Sequence, residues 1–285
     1  MNWRPMEKIN QDLPDGIKVF RGKNNLIPVK AWYAEIDLLS NSIVVRIVQS
    51  HDIDYKESLS DFSENLQAVV VVNGGYFLMG KNQTEHVGLL MSNHTIHSQA
   101  ISSLLRGETR YYVTRGALGI TDENQIDIAW VTSRNDSVFE WKIPTKNKRN
   151  KPNTMLNYTQ SFHWNVRDAF QAGPVLISDS KIHTSVNEEV FFDTKILGIN
   201  PRTSAGYTSA GKLILMVVDG RQAISRGVYL DELAVMMKDL NCVEAINLDG
   251  GGSTGMVVNG TLLNKPSGTT NQREVMSAIA VFSQE

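Results

Sequence analysis

The residues best suited to chemistry form one stretch, Asn247-Leu248-Asp249-Gly250-Gly251-Gly252-Ser253-Thr254. An apolar run leads into the carboxylate of Asp249, and three glycines and two hydroxyl residues follow it. Glycine has no Cβ, so its backbone N–H groups can approach a ligand closely. A carboxylate beside such backbone and two hydroxyls is a composition typical of a site for a phosphorylated ligand. A tight connection between two strands also needs glycines, so this stretch alone leaves both interpretations open.

A second apolar run ends in the same way. Residues 213–218 lead into Asp219-Gly220-Arg221, 30 positions before the matching point at Asp249. The segment 228–240 lies between them, and its apolar residues recur at the spacing of a helix packed on a sheet. Strand, helix and strand of these lengths predict a βαβ unit with parallel strands and a right-handed crossover. Because ligands bind beyond the carboxyl ends of such strands, Asp219, Arg221 and Asp249 are predicted to share one pocket.

Several further motifs, in order between about position 70 and position 282, resemble those of a known family, the phosphodiester glycosidase domains of bacteria and animals. The segments that carry the resemblance are Val71 to Phe77, Gln171 to Leu176, Pro201 to Gly206, Asp219-Gly220-Arg221 with Ser225 and Gly227, Glu232-Leu233-Ala234, Asn247 to Thr254, and Asn264, Pro266-Ser267 and Arg273. Ser204-Ala205 stands where the family usually has alanine followed by an aliphatic residue. This departure leaves the fine specificity open.

The resemblance implies a hydrolase that cleaves a sugar from a sugar-1-phosphodiester, of the N-acetylglucosamine-1-phosphodiester type, at the anomeric C–O bond. The phosphate would stay on the acceptor. Such a site must neutralise the phosphate, support positive charge on the sugar ring and activate water. Arg202 and Arg221 suit the first task because a planar guanidinium can bind two phosphate oxygens at once. Two alternatives stay open, a non-catalytic binder of phosphorylated glycans and a metal-dependent phosphodiesterase that cuts the P–O bond.

The candidate site residues follow from these motifs. The predicted catalytic residues are Asp249, Asp219 and Glu232. The predicted substrate-binding residues are Arg202, Arg221, Asn73, Gly74, Thr203, Ser225, Gly250, Gly251, Ser253, Thr254 and Arg273. Structural alternatives exist, since Asp219 could pair with Arg221 across the turn and Glu232 could interact with the helix dipole. Two carboxylates would repel an anionic substrate, so at least one should be held by an arginine or a metal.

No cofactor is certain from the sequence. An aspartate pair with carbonyl groups could hold a divalent cation, Ca²⁺ or Mg²⁺, but no loop spacing is diagnostic, so the metal is unknown. The formal net charge of −2 argues against nucleic acid as the main partner. No segment approaches the roughly 20 apolar residues of a transmembrane span. The expected partner is therefore a small-molecule or glycan substrate that carries a phosphodiester.

The expected location of the protein rests on the resemblance. The sequence opens with Met1-Asn2-Trp3-Arg4-Pro5, which lacks the apolar core of a signal peptide and taken literally indicates the cytoplasm. However, phosphodiester-linked sugars belong to cell envelopes and glycoproteins. We therefore expect an exported protein, periplasmic or at the cell surface, whose signal is absent from the given sequence.

Strands dominate the rest of the chain and helices are few. The pattern predicts a single α+β domain over residues 1–285, with a mixed β-sheet core at 68–285 that includes the βαβ unit near the C-terminus. An N-terminal β segment, 1–67, is predicted to pack on this core. Asn259-Gly260 indicates a type I′ hairpin, and the basic stretch 146–153 is expected to be an exposed loop, with attraction of an anionic substrate as the alternative.

Overall fold

The structure of the protein is a computed structural model that describes residues 1–79, 84–265 and 272–284. The helices in these ranges are α1 (Glu7–Asn10), α2 (Leu59–Leu66) and α3 (Leu230–Asp239), with 3₁₀ turns at Tyr158–Gln160, Lys195–Leu197 and Gly251–Ser253. The strands are β1 (Asn2–Pro5), β2 (Ile17–Asn24), β3 (Val29–Asp37), β4 (Ile43–Gln49), β5 (Val70–Asn73), β6 (Phe77–Met79), β7 (Thr84–His86), β8 (Leu90–Ser92), β9 (Thr95–Ser98), β10 (Ser103–Arg106), β11 (Thr109–Tyr112), β12 (Arg115–Ile120), β13 (Ile126–Arg134), β14 (Ser137–Trp141), β15 (Ser161–His163), β16 (Asp168–Gln171), β17 (Val175–Ser178), β18 (Lys181–Ile182), β19 (Arg202–Thr208), β20 (Lys212–Val218), β21 (Cys242–Asn247), β22 (Met256–Val258), β23 (Thr261–Leu262) and β24 (Ser277–Ser283). The chain is thus mostly β-sheet with few helices, which is consistent with the α+β class.

The largest sheet has eight strands in the order β1-β2-β3-β20-β19-β21-β17-β18. One of its faces is covered by α3, whose Leu230, Leu233 and Met237 are buried against apolar strand residues such as Ile214 and Met216. This is the amphipathic packing that the apolar spacing over 228–240 predicts. The opposite face belongs to the main core, which it shares with the other sheets.

A second sheet has five strands in the order β23-β22-β5-β24-β4. Val70 and Val72 of β5 point into the main core, where they join Leu215 and Val217 of β20. Helix α2 covers the other face of this sheet with Leu59 and Phe62. A seven-stranded sheet, β15-β14-β13-β12-β16-β8-β9, also contributes to the main core. The N-terminal strands are integral to these sheets, since β1 to β3 extend the eight-stranded sheet and β4 pairs with β24.

The strands β20 and β21, which flank α3 in the sequence, do run parallel to each other, because each pairs antiparallel with β19. However, β19 comes earlier in the chain and lies between them. Every strand pair in the described ranges is antiparallel, so the predicted mixed sheet is wrong in its pairing. The consequence for the site is unchanged, because β20 and β21 still end at the same edge of the sheet.

Local signals in the sequence have clear counterparts. Asn259 and Gly260 have φ angles of 45° and 72° and join β22 to β23, which confirms the hairpin expected from this pair. Pro266 and Ser267, part of the family-like motifs, lie outside the described residues. No helix in the described part of the chain is both long and apolar enough to cross a membrane.

Candidate active site

A cavity of about 270 Å³ opens where β19 begins and β21 ends. Its walls contain six of the predicted site residues, Arg202, Arg221, Asp249, Gly250, Gly251 and Arg273. The remaining wall residues are Tyr76, Lys195, Ile196, Asn200, Pro201, Asn247, Leu248 and Gly252. The two aspartate-glycine strand ends meet here only in part, because Asp249 and Arg221 line the cavity and Asp219 does not.

Asn73 fixes the backbone on which Asp249 sits. Its Nδ2 donates a 2.7 Å hydrogen bond to the carbonyl of Asp249, and its Oδ1 accepts from the Thr203 hydroxyl at 2.6 Å and from the Gly255 N–H at 3.2 Å. The carbonyl of Gly74 accepts from the N–H of Asp249 at 3.1 Å. Asn73 and Thr203 are fully buried. These three predicted binding residues therefore support the cavity from behind and do not line it.

The three glycines provide space for neighbouring groups. A Cβ on Gly252 would lie 2.7 Å from the guanidinium carbon of Arg273, and one on Gly250 would lie 2.7 Å from the carbonyl oxygen of Pro201. The N–H groups of Gly250 and Gly251 are already bonded, to Asp249 Oδ1 at 2.8 Å and to the Pro201 carbonyl at 3.0 Å. The predicted anion-binding backbone is thus largely engaged. The glycines instead leave room near Asp249 for two neighbouring groups, the Arg273 guanidinium beside Gly252 and the Pro201 carbonyl beside Gly250.

Asp249 is half-buried on the cavity wall. Burial raises the pKa of its carboxyl group from 3.8 to about 6, while the Ser253 hydroxyl, the Gly250 N–H and the charge of Arg273 oppose this shift. The Ser253 hydroxyl lies near the carboxylate but lacks the geometry of a full hydrogen bond. A carboxyl group with a pKa near 6 can take up or release a proton close to neutral pH, as a general acid or base requires.

Arg202 is a buried cation, with 2% of its surface exposed. Its Nε donates to the Val228 carbonyl at 3.1 Å, and its Nη2 donates to the carbonyls of Ile196 at 2.6 Å and Gly198 at 2.7 Å. It forms no ion pair with a carboxylate in the described ranges, and burial lowers its pKa to about 10. An uncompensated buried charge is costly. The site therefore favours an anion in the cavity.

Two exposed arginines flank the glycines. Arg221 has a φ of 58°, a conformation uncommon for a residue with a side chain, and its Nη2 donates to Asn200 Oδ1 at 3.0 Å. This nitrogen lies 3.2 Å from the position of a Cβ on Gly251, and Arg273 lies against Gly252 in the same way. With Arg202 and Lys195, four cations and the carboxylate of Asp249 line one cavity. Its charge suits an anionic ligand such as a phosphate.

Asp219, a predicted catalytic residue, does not line this cavity. Its Oδ1 accepts hydrogen bonds from Asn264 Nδ2 at 3.1 Å and from the Lys265 N–H at 3.0 Å, and burial raises its pKa. The hydroxyl of Ser225, a predicted binding residue, donates to the Asp219 carbonyl at 2.6 Å. Asp219 and Ser225 therefore join the end of β20 to neighbouring loops. Asp219 and Arg221 do not form the ion pair that the sequence analysis gave as a structural alternative.

Glu232 also lies outside the cavity wall. Its carboxylate accepts from the Tyr229 N–H at 2.9 Å and pairs with Arg226 at the start of α3. This is the structural alternative that its place in the first helical turn indicates. Ser253 and Thr254 are buried, and their hydroxyl groups have no hydrogen-bond partner in the described part of the chain.

Eight wall residues were missed by the site prediction, and four of them have polar side chains. Tyr76 donates from its hydroxyl to the Gly173 carbonyl at 2.6 Å and accepts from Asn247 Nδ2 at 2.9 Å, and burial raises its pKa. Both residues lie within family-like motifs, so the signal for them was present. Lys195 and Asn200 lie in a segment without any motif, and only the folded chain brings them to the cavity.

The described residues contain no cluster of three or more His, Cys, Asp or Glu side chains that could hold a metal ion. The divalent cation stays a prediction.

Comparisons with known proteins bear on this site. Residues 66–282, which include every residue of the cavity wall, match the family model described as phosphodiester glycosidase. The chain belongs to this family. The chain is 38% identical over 106 residues to N-acetylglucosamine-1-phosphodiester alpha-N-acetylglucosaminidase of Bos taurus, and the match covers 36% of the chain and 19% of the bovine enzyme. It is 33% identical over 101 residues to the SPbeta prophage-derived uncharacterized protein YomE of Bacillus subtilis, with coverage of 35% and 15%.

Two solved structures share the fold. The catalytic domain of the zebrafish N-acetylglucosamine-1-phosphodiester alpha-N-acetylglucosaminidase matches with a TM-score of 0.64 and 20% identity, over 100% of this chain and 88% of that one. A hypothetical protein from Synechocystis matches with a TM-score of 0.65 and 17% identity, over 96% and 64%. The matched segments span about a fifth or less of the curated relatives.

Proposed function

We propose that this protein hydrolyses a sugar-1-phosphodiester at the anomeric C–O bond and leaves the phosphate on the acceptor. The observation that supports the proposal best is the buried Arg202, which has no carboxylate partner among the described residues and lies on the wall of a cavity that also contains Asp249. The bovine and zebrafish relatives, both N-acetylglucosamine-1-phosphodiester alpha-N-acetylglucosaminidases, support an N-acetylglucosamine-1-phosphodiester as the substrate type.

The phosphate is assigned to the arginines. Arg202 offers a fixed guanidinium, because three backbone carbonyls hold it in place. Arg221 and Arg273 are exposed and close to the glycines, so they can move onto the phosphate oxygens when the substrate enters. Arginine groups fixed before the reaction stabilise charge that develops on the leaving phosphate without reorganisation in the transition state.

The anomeric carbon is assigned to Asp249. When ionised, its carboxylate can support the positive charge that develops on the sugar ring or accept a proton from the attacking water. The water oxygen forms a bond to C1, the bond between C1 and the phosphate oxygen breaks, and its electron pair stays on the phosphate. A phosphate monoester is a good leaving group. One wall carboxylate is therefore sufficient for a reaction that in ordinary glycosides uses two.

Hydrolysis in ¹⁸O-water tests the bond that is cut. The expected result is ¹⁸O on the C1 hydroxyl of the released sugar and none in the phosphate. Label in the phosphate would instead support the phosphodiesterase alternative. Loss of this activity when a chelator is added would then show that it depends on a metal. Asp249→Asn serves as the control for contaminating activity. A wild-type protein that binds the substrate without turnover would support the non-catalytic binder.

Phosphodiester-linked sugars occur in envelopes and glycoproteins, so this function also leads us to propose that the protein is exported. Fractionation of cells that express the natural gene tests this, and a purely cytoplasmic protein would contradict it.

A further inference from the structure

A second opening lies at the outer edge of the eight-stranded sheet. It is a groove of about 450 Å³ lined by Asn2, Arg4, Pro5, Met6, Arg21, Lys23 and Asn25. Three of these residues are exposed cations, and the lining contains no acidic residue. The chain as a whole has a formal net charge of −2. The groove is therefore a local concentration of positive charge and not a reflection of the composition.

The strand register places like charges directly opposite one another in and beside this groove. Arg4 of β1 faces Arg21 of β2, and Lys23 of β2 faces Lys30 of β3. Val19 of β2 packs into the main core. Because side chains alternate between the two faces of a sheet, Arg21 and Lys23 lie on the same face as Val19. Like charges directly opposite each other destabilise a sheet. Two such pairs, Arg4 with Arg21 and Lys23 with Lys30, are neighbours in this part of the sheet.

Counter-charges do not compensate for this arrangement. Arg4, Arg21 and Lys23 form no ion pair with a carboxylate within residues 1–79, 84–265 and 272–284. Burial raises the pKa of Asp219, and the charge of Lys30 opposes this shift. The guanidinium of Arg21 lies 5.9 Å from the ring centre of Trp32, which leaves its N–H groups available. An anionic ligand would satisfy this cluster.

The groove and the cavity lie at the same end of the strands of the eight-stranded sheet. Lys23 pairs with Lys30, the carbonyl of Lys30 accepts from the N–H of Asp219 at 3.0 Å, and the preceding Val218 pairs with Arg202. Three to four strand spacings separate β1 and β2 from β19, so their backbones lie about 15–20 Å from the backbone of β19 at Arg202. A small substrate in the cavity cannot reach that far. A polymer can.

We propose that this groove binds a second segment of an anionic glycan whose sugars are linked by phosphodiesters, while another unit of the same polymer occupies the cavity. This assignment rests on the proposed function for the nature of the polymer. The polymer would present phosphate charges at intervals along its backbone, which matches two separate groups of cations, one in the groove and one in the cavity. Arg4 and Arg21 are its central contacts.

Two double variants with the same change in charge test the groove. Arg4→Gln with Arg21→Gln removes the opposed arginines, and Lys148→Gln with Lys151→Gln removes an exposed pair of bridged lysines in the basic loop 146–153. Labelled inorganic polyphosphate is the binding probe, titrated at several salt concentrations. The arginine variant should bind at least about tenfold more weakly, with a salt slope reduced by about two. The lysine variant should change by less than about twofold.

Kinetics separate this inference from the proposed function. The arginine variant should raise KM for a phosphodiester-linked glycan polymer and leave kcat/KM for a monomeric sugar-1-phosphodiester unchanged. Its melting temperature should stay the same or rise, because an opposed like-charge pair is removed. If the two double variants had equal effects, or if neither had an effect, the groove would not be a binding site for the polymer. Weakened polyphosphate binding in a protein that hydrolyses neither substrate would overturn the proposed function and the identity of the polymer, but not the anion site.

Discussion

Asn73 and Asp249, 176 positions apart in the chain, are joined by a 2.7 Å hydrogen bond from the Asn73 amide to the Asp249 carbonyl. Asn73 ends β5 in the five-stranded sheet, and Asp249 follows β21 in the eight-stranded sheet. The candidate catalytic carboxylate is therefore positioned by the contact between two sheets. A change in the packing of either sheet should reach the site through this amide.

Asn73→Ala should lower both stability and activity. The substitution removes three hydrogen bonds and leaves the buried Thr203 hydroxyl without its acceptor. Unpaired buried polar groups cost about 1–3 kcal/mol each, so we expect a loss of about 2–4 kcal/mol in the free energy of unfolding. Urea denaturation measures it. Asn187→Ala, at an exposed position, is the control, and an equal effect of the two substitutions would contradict the support role of Asn73.

The two aspartates should respond differently to the same substitution. Asp249→Asn keeps the shape but removes the charge, so turnover should fall about 10²-fold or more, while KM holds or decreases. Asp219→Asn should retain turnover within a few-fold, because Asp219 bonds Asn264 and Lys265 outside the cavity. Steady-state kinetics of both variants on a sugar-1-phosphodiester check this. A fully active Asp249→Asn protein would remove Asp249 from the mechanism.

The sequence predicted the pocket better than the sheet around it. Apolar runs that end in aspartate-glycine located both strand ends, because buried strands leave a direct hydrophobic signal. The pairing of β20 and β21 with β19 could not be read in this way, since strand order depends on contacts distant in the chain. The same limit applies to Lys195 and Asn200, which reach the cavity wall from an irregular segment.

The roles of individual side chains were harder to predict than their location. Asp219 and Asp249 follow strands with similar sequence patterns. Asn264 hydrogen-bonds the carboxylate of Asp219, whereas Asp249 lies on the cavity wall. The glycines after Asp249 suggested an anion-binding backbone, and most of its N–H groups prove to be bonded within the protein. Such choices depend on partners supplied by remote segments.

A phosphate monoester, the predicted product class, should stabilise the protein through its arginines. Glycerol phosphate is a suitable probe, and at about ten times its Kd it should add about 1.4 kcal/mol and raise Tm by about 2–4 °C. Arg221→Gln should reduce this shift in Tm. Arg226→Gln is the matched control, because Arg226 pairs with Glu232 outside the cavity. An identical shift in both variants would place the anion elsewhere.

Gly252→Ala should act on substrate binding through Arg273. The new Cβ would lie 2.7 Å from the guanidinium carbon of Arg273, so this exposed side chain must move away from the cavity. We expect KM to rise several-fold with a smaller change in kcat, since Arg273 is assigned to the phosphate in both ground and transition states. Gly198→Ala, where a Cβ would have no contact closer than 3.6 Å, is the control. Unchanged KM in Gly252→Ala would contradict the assignment of Arg273.

The raised pKa of Asp249 predicts opposite pH dependences for activity and stability. Activity needs the ionised carboxylate, so kcat/KM should rise with pH through about 6 in the wild type. The native pKa of about 6 exceeds the ordinary 3.8, so the native state binds this proton more tightly than the unfolded chain does. The favourable contribution of protonated Asp249 is therefore complete below about pH 4 and is lost as the pH rises through about 6.

Asp249→Asn isolates this effect, because the amide stays neutral at every pH. A shift of about two pKa units in a half-buried carboxyl group corresponds to about 2 kcal/mol once partial screening by solvent is included. The variant should thus be about 2 kcal/mol more stable than the wild type near pH 8, with the difference decreasing to near zero below about pH 4. Urea denaturation of both proteins across this range provides the measurement. A difference that does not vary with pH would mean that the burial of the Asp249 charge costs the fold nothing, and the basis for its proton transfer near neutral pH would be lost.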